Sequence, residues 1–187
     1  MKPAALLVAF AICLFAGGGA RAAAGANELE VAGRVGIGVI NQGSAHPWGP
    51  AGGIDVAYGL NDAWALSGTL QGSSASVSAD KSAGIAGGTE HAVAAAVGVT
   101  YTVDILRLVP YVTLQLGIAE LGGPLAPSET MFASALALGG DYFLTVRLKA
   151  GVMFQYLYRP QDLLSDPRNL GSSPFTFSTT VRLAWVF

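Results

Sequence analysis

The chain has 187 residues, enough for one domain, with ten basic and twelve acidic residues; it is 52% hydrophobic but only 12% charged. This share of charged residues is about half the usual one for a soluble domain. The sequence has no run of basic residues, which excludes nucleic acid as a partner. After the N-terminus no stretch is apolar for the roughly 18 residues that a membrane-spanning helix needs.

Residues 1–22 have the features of a secretory signal peptide. Lys2 supplies the positive start, residues 4–16 the apolar core, and Ala20-Arg21-Ala22 a cleavage site of small residues. A retained membrane helix is the alternative, but an apolar core of about 13 residues is short for a span. The single cysteine, Cys13, lies in this segment. The mature domain, residues 23–187, is therefore predicted to contain no disulfide and no reactive thiol.

Beyond residue 22, bulky apolar residues alternate with small or polar ones, and this period of two predicts eight β-strands. The predicted strands are Glu30–Ile40, Gly53–Leu60, Ala63–Gly72, His91–Val103, Leu108–Ala119, Met131–Tyr142, Val146–Tyr158 and Phe175–Phe187. A helix is the competing prediction for residues 131–140. Long loops at 41–52, 72–90, 120–130 and 159–174 alternate with short turns such as Asn61-Asp62, which places both chain ends on the same side.

The last strand indicates which side of this sheet meets lipid. Phe177, Leu183 and Trp185 share one face, and Ser178 and Arg182 share the other. A strand of roughly ten residues that is apolar outside and small or polar inside is what a transmembrane barrel requires. The predicted fold is therefore an all-β, eight-stranded, antiparallel up-and-down transmembrane β-barrel. A soluble barrel with an apolar interior is the alternative, but it needs charges over its whole outer face, and this chain has too few.

Charged residues in the predicted strand cores fall on the inward face. They are Arg34, Asp55, Asp141, Arg147, Lys149 and Arg182, with Glu30 near the start of the first strand. Side chains can just fill the interior of an eight-stranded barrel, and an unpaired charge there would be costly. We therefore predict an ion-pair network that closes the periplasmic half of the lumen. A charged pore constriction is the alternative interpretation.

The inward residues of the outer half are small. Ala92, Ala94, Ala133, Ala135 and Gly117 would leave space rather than fill it. Water or inward-folded loops would account for that space. The alternative is a pocket that serves a narrow pore or a carrier for a small apolar solute.

The alternation, the closing aromatic strand and the stretches Val109-Pro110-Tyr111 and Gly139-Gly140-Asp141-Tyr142 resemble the small eight-stranded outer-membrane barrels of Gram-negative bacteria. That superfamily contains OmpA transmembrane-domain-like, OmpX-like and OmpW-like proteins. The resemblance implies a monomer in the cell outer membrane, in contact with outer-membrane lipid and lipopolysaccharide. It also implies that periplasmic chaperones and the barrel-assembly machinery handle the chain, with Trp185 and Phe187 as the assembly signal. The leading hypothesis for the function is a structural or surface-interaction role through the extracellular loops.

A few small barrels modify lipid A, so an enzymatic site is a further alternative. A hydrolase needs a nucleophile, a base and an orienting acid within hydrogen-bond reach. If the turn pairs Val103 with Leu108, antiparallel register puts His91 opposite Glu120, and a serine from residues 73–78 could complete the set. His46 lies in a loop and is predicted to be solvated. We predict a non-enzymatic protein with no catalytic, cofactor-binding or metal site.

Overall fold

A computed structural model describes residues 26–41, 45–79, 87–105, 107–125, 127–160 and 175–187. Its strands are β1 (Leu29–Asn41), β2 (Trp48–Gly59), β3 (Trp64–Val77), β4 (Gly88–Thr102), β5 (Leu108–Gly122), β6 (Glu129–Phe143), β7 (Leu148–Tyr158) and β8 (Phe175–Val186). Neighbours in sequence pair antiparallel, and β8 pairs with β1 to close the barrel. The predicted eight-stranded barrel is confirmed, and the helical alternative for residues 131–140 is wrong. The predicted signal peptide and the boundary at residue 22 lie outside the described residues.

In the parts of the chain that the structure describes, no helix is long and apolar enough to cross a membrane.

The strands are staggered around the barrel. We start at Glu30 on β1 and step to its paired residue on β2, then to that residue's partner on β3, and so on around the barrel. These steps lead back to β1 at Ile40, ten residues after Glu30. Eight strands with a shear of 10 must tilt from the barrel axis, typically by about 35–45°. Inward residues that are distant in sequence therefore meet at one level of the lumen.

The wall is apolar outside and polar or small inside. Val35 and Val97 are 71% and 70% exposed, as lipid-facing residues of a transmembrane barrel are. Aromatic residues ring the end with the short turns; the Trp64 and Tyr101 ring centroids lie 4.9 Å apart. This outer face rules out the soluble barrel with an apolar interior.

Inward glycines allow the strands to lie close together. A Cβ at Gly36 would collide with the backbone carbonyl of Thr179 on β8, and one at Gly98 with that of Leu114 on β5. These positions require glycine, because a side chain would prevent the neighbouring backbones from approaching so closely.

Several strands extend beyond their predicted bounds at the end with the long connections. Connections predicted at 41–52 and 72–90 shorten to 42–47 and 78–87, because β2 begins at Trp48 and β3 continues to Val77. Pro50 falls within the loop predicted at 41–52, yet it lies opposite Ile37 in the β1–β2 pair. The β2–β3 pairing begins only at Ala51, so Pro50 has a strand partner on one side alone, and this is an edge position that proline tolerates.

Candidate functional site: the barrel lumen

The inward face of five strands carries a cluster of six charged side chains. Glu30, Arg34, Asp55, Asp141, Lys149 and Arg182, called the ion network here, lie on β1, β2, β6, β7 and β8. All six are buried, and Arg34, Asp141 and Lys149 are no more than 3% exposed. Arg34 and Arg182 lie directly opposite each other on β1 and β8. Because these two positive side chains are neighbours, they require carboxylates between them.

Arg182 is the centre of the network. Its guanidinium contacts the carboxylates of Glu30 and Asp141, and its Nε lies 3.6 Å from Asp55 Oδ2. The Lys149 ammonium contacts Glu30. Three acidic groups thus face three basic ones, and this balance is what a buried set of charges needs.

Arg34 forms the upper edge of the network. Its Nε lies 3.2 Å from Asp55 Oδ2. Its Nη1 donates to Gln155 Oε1 at 2.7 Å, and its Nη2 donates to Gln71 Oε1 at 2.8 Å. Gln71 and Gln155 lie on the inward face but were not predicted to belong to the site. A polar amide among small inward residues is the signal that could have identified them.

Two aromatic rings pack against the cations. The Arg182 guanidinium lies 5.5 Å from the ring centroid of Tyr111, and Lys149 Nζ lies 4.9 Å from that of Phe143, so both cations gain cation–π contacts. The Tyr111 ring packs directly on Gly139 of the neighbouring strand. Tyr111 was not predicted to belong to the site.

A hydroxyl-rich wall faces the ion network across the lumen. Thr69 donates to Asp55 Oδ1 at 2.8 Å, and the Thr100 and Thr113 hydroxyls are 2.8 Å apart. Gln115 Nε2 donates to Thr69 at 3.1 Å. A cavity of about 50 Å³ lies between this wall and the network, with room for a small group of water molecules.

The outer half of the lumen is packed rather than open. Its buried apolar side chains, called the apolar cluster here, are Ile40, Ala75, Ala92, Ala94, Ala119, Leu121, Met131, Ala133, Ala135 and Leu157. The Glu90 carboxylate is buried in this half as well. The expectation that the small residues leave space was wrong, because Leu121 lies directly across from Ala92, and Leu157 directly across from Ala135, and both pack in the cluster. A second cavity, between this cluster and Arg34, measures only about 10 Å³.

Arg147 does not belong to the ion network, so its assignment to the lumen was wrong. It is exposed in the β6–β7 turn, because β7 begins at Leu148 rather than at Val146. The Thr145 hydroxyl accepts hydrogen bonds from the backbone N–H groups of Arg147 and Leu148 at 3.3 and 3.0 Å, and this local turn keeps Arg147 out of the strand.

The register predicted for His91 was also wrong. Ile105 bridges to Leu108, and the Val103 N–H donates to Pro110 O at 2.9 Å, so the register differs by two residues from the predicted one. His91 therefore lies opposite Gly122, and Glu120 lies opposite Val93. Because the difference is even, both side chains keep their outward orientation. The serine directly across from His91 is Ser74.

Trp185 and Phe187 lie at the end with the short turns and are exposed, and the Phe187 N–H donates to Leu29 O at 2.8 Å. Their role as an assembly signal stays a prediction. Among the described residues, no cluster of histidine, cysteine, aspartate and glutamate is arranged to hold a metal ion.

Residues 10–178 match the family model described as outer membrane protein beta-barrel domain. The chain belongs to this family. Membership places the protein in the outer membrane, where long connections face outward and short turns face the periplasm. The ion network accordingly lies in the periplasmic half of the lumen and the apolar cluster in the extracellular half.

Solved structures share the fold at low identity. Neisserial surface protein A is 14% identical, with a TM-score of 0.62 over 85% of this chain and 97% of its own. OprG from Pseudomonas aeruginosa is 14% identical, with a TM-score of 0.58 over 87% of this chain and 97% of its own. The attachment invasion locus protein Ail of Yersinia pestis is 12% identical, with a TM-score of 0.52 over 87% and 99%. A search of curated proteins found no match.

Proposed function

We propose that this protein is a closed, non-enzymatic outer-membrane barrel that acts through its extracellular connections rather than through its lumen. One observation carries the proposal. Two barriers lie in series along the barrel axis: the ion network fills the periplasmic half, and the apolar cluster fills the extracellular half. A solute that passed through would have to displace both.

The size of the barrel supports the same conclusion. Aqueous channels are found in barrels of about 16–18 strands, whereas eight strands enclose little more than their own side chains. The cavity of about 50 Å³ beside the network is too small for an organic solute of several carbon atoms. The connections at 42–47, 78–87, 123–128 and 159–174 are then the parts of the chain available to partners outside the cell.

Two structural neighbours are named for the cell surface and for attachment. At 12–14% identity they share only the fold with this chain, so the proposal does not rest on them. Their names show only that barrels of this fold include a surface protein and an attachment protein.

Planar-bilayer conductance of the purified protein tests the closed lumen. We expect no steady openings, with a 16-stranded porin as the positive control. Steady openings that disappear when Arg34 or Lys149 is replaced would overturn the proposal and favour a narrow pore. Uptake of a small apolar dye into vesicles, measured in parallel, tests the carrier alternative; we expect uptake equal to that of protein-free vesicles.

Exchange of the connections tests where the function lies. In a strain that lacks the protein, we would compare the wild-type chain with a variant whose residues 79–86 and 162–173 are Gly-Ser sequences of equal length. Both chains should form the same barrel, so we expect both to restore resistance of the outer membrane to detergent. A surface-interaction role predicts that only the wild type restores adhesion of the cells to abiotic and cellular surfaces. Failure of the wild type in both assays would contradict the proposal.

A second candidate, a lipid-modifying hydrolase, is favoured by the position of Ser74 directly across from His91 on the lipid-facing side. Glu120, which is exposed, lies on the next strand and diagonal to His91. Mass spectrometry of lipid A from cells with and without the protein separates the candidates. The leading proposal expects identical acyl chains; a loss of one chain that requires both Ser74 and His91 would establish the hydrolase instead.

A further inference from the structure

The ion network crosses the place where the two ends of the sheet meet. β1 and β8 pair to close the barrel, and we call this pair the closing seam. On one side of the seam, β1 and β2 carry one net negative charge, from Glu30, Arg34 and Asp55. On the other side, β6, β7 and β8 carry one net positive charge, from Asp141, Lys149 and Arg182. Neither side is balanced alone, so the charges of the network compensate one another only when β8 lies against β1.

Three ion pairs among the described residues span the closing seam. Glu30 on β1 contacts both Lys149 on β7 and Arg182 on β8. Arg182 Nε also lies 3.6 Å from Asp55 Oδ2 on β2. All four side chains are buried, so each depends on partners from the other side of the seam for charge compensation.

The apolar outer face does not determine the register of the closing seam. Val35 and Val181 lie directly opposite each other and both face lipid. If β8 shifted by two residues, Val35 would instead lie opposite Thr179 or Leu183, and every side chain would keep its inward or outward orientation. The β4–β5 pair shows the same ambiguity, since a register two residues away from the observed one fits its alternation equally well.

The ion pairs do distinguish these registers. A shift of two residues displaces β8 along β1 by about 7 Å, and β7 moves with it because it pairs with β8. Lys149 and Arg182 would then move together relative to Glu30 and Asp55, and rotation of the side chains could not restore all three ion pairs. Water solvates these charges while the sheet is open, whereas closure buries them. Closure in a shifted register would therefore bury unpaired charges, which is strongly destabilising.

We propose that the ion pairs across the closing seam select the register in which β8 closes on β1, with Glu30 as the central group. Glu30 is central because it contacts cations on two strands from the other side of the seam. A buried polar residue specifies register in the same way at coiled-coil interfaces. This role concerns the assembly of the barrel; it goes beyond the loop-based function proposed above and does not depend on it.

Disulfide cross-linking of the folded full-length chain measures the register. In a Cys13→Ser background, Val35→Cys is combined with Val181→Cys to report the native register, or with Thr179→Cys or Leu183→Cys to report a shift of two residues. Positions 35 and 181 are directly opposite, whereas diagonal neighbours lie about 7–8 Å apart, beyond the usual reach of a disulfide. Each chain is refolded from urea into phospholipid vesicles, then oxidised and analysed on non-reducing gels.

Removal of one charge from each side of the seam tests the proposal. Glu30→Gln combined with Lys149→Met makes both sides neutral, while each side keeps an ion pair of its own. We expect this double variant to lower the ratio of native to shifted cross-links at least about tenfold relative to the wild type, which corresponds to about 1.4 kcal/mol of preference for the native register. Glu30→Gln alone, which preserves the shape of the side chain, should change the ratio in the same direction.

Thr100→Val combined with Thr113→Val is the matched control. It removes a hydrogen-bonded pair of inward hydroxyls on β4 and β5, away from the seam, and should leave the ratio unchanged. Leu66→Cys with Val99→Cys, directly opposite on β3 and β4, shows whether oxidation is equally efficient in every variant, and heat-modifiable migration on gels identifies the folded protein. The proposal is overturned if the folded Glu30 variants keep the wild-type ratio, if the wild type forms shifted cross-links as readily as native ones, or if the threonine variant lowers the ratio by as much.

Discussion

The two halves of the lumen are closed by opposite chemistry. In the periplasmic half, three carboxylates and three cations are buried together, and the removal of any one leaves its partners uncompensated. In the extracellular half, alanines and a few large aliphatic residues make up most of the buried interior, and the Glu90 carboxylate is also buried there. The lower half is therefore stabilised mainly by charges that compensate one another and the upper half mainly by the packing of apolar side chains, so we expect the two halves to tolerate mutations very differently.

The largest effect should come from the centre of the ion network. Arg182→Met removes the cation that Glu30, Asp55 and Asp141 share, and it should lower the free energy of unfolding by about 3–5 kcal/mol, because buried carboxylates lose their partner. Urea unfolding in lipid vesicles, followed by tryptophan fluorescence, measures the change. A loss below about 1 kcal/mol would mean that water reaches these carboxylates and that the lower half is not dry.

The coupling energy between charges in the lower half can be measured directly with the pair Glu30 and Lys149. Glu30→Gln and Lys149→Met should each destabilise, while the double variant should lose less than the sum, with a coupling of about 0.5–3 kcal/mol. A double-mutant cycle of unfolding free energies gives this value. Simple additivity would contradict the contact between these side chains.

The apolar cluster of the upper half should respond only to changes in side-chain volume. Ile40, fully buried in the apolar cluster, loses one methylene in Ile40→Val, which should cost about 0.5–1.5 kcal/mol. The cost should be independent of salt, because no charge is involved. A salt-dependent cost would show that the two halves are electrostatically linked and would weaken the comparison.

The smallest effect is expected at Arg147, which the alternation had assigned to the lower half. Because Arg147 is exposed in a turn, Arg147→Ala should change the unfolding free energy by no more than about 0.5 kcal/mol. Comparing the unfolding free energies of Arg147→Ala and Arg182→Met distinguishes an arginine on the surface from one in the lumen. A loss of unfolding free energy comparable to that of Arg182→Met would show that Arg147 does belong to the ion network.

The predicted orientation of the side chains, inward or outward, was correct even where the predicted pairing between strands was wrong. His91 and Glu120 keep their outward orientation although their pairing differs by two residues from the predicted one, since an even difference leaves each face unchanged. Arg147 was misplaced for a different reason: Thr145 forms a local turn, so β7 begins at Leu148, two residues later than predicted.

The number of strands, the face of each that meets lipid, and the inward orientation of Arg34, Asp55, Asp141, Lys149 and Arg182 follow from the amino-acid sequence alone, because side-chain direction in a strand depends only on a local period of two. Which charges meet depends on the tertiary structure, since Arg182 and Glu30 are 152 residues apart and come together through closure of β8 on β1 and the tilt of the strands. Strand pairing likewise places Leu121 and Leu157 across from Ala92 and Ala135 in the outer half, and no local pattern specifies these relations between strands.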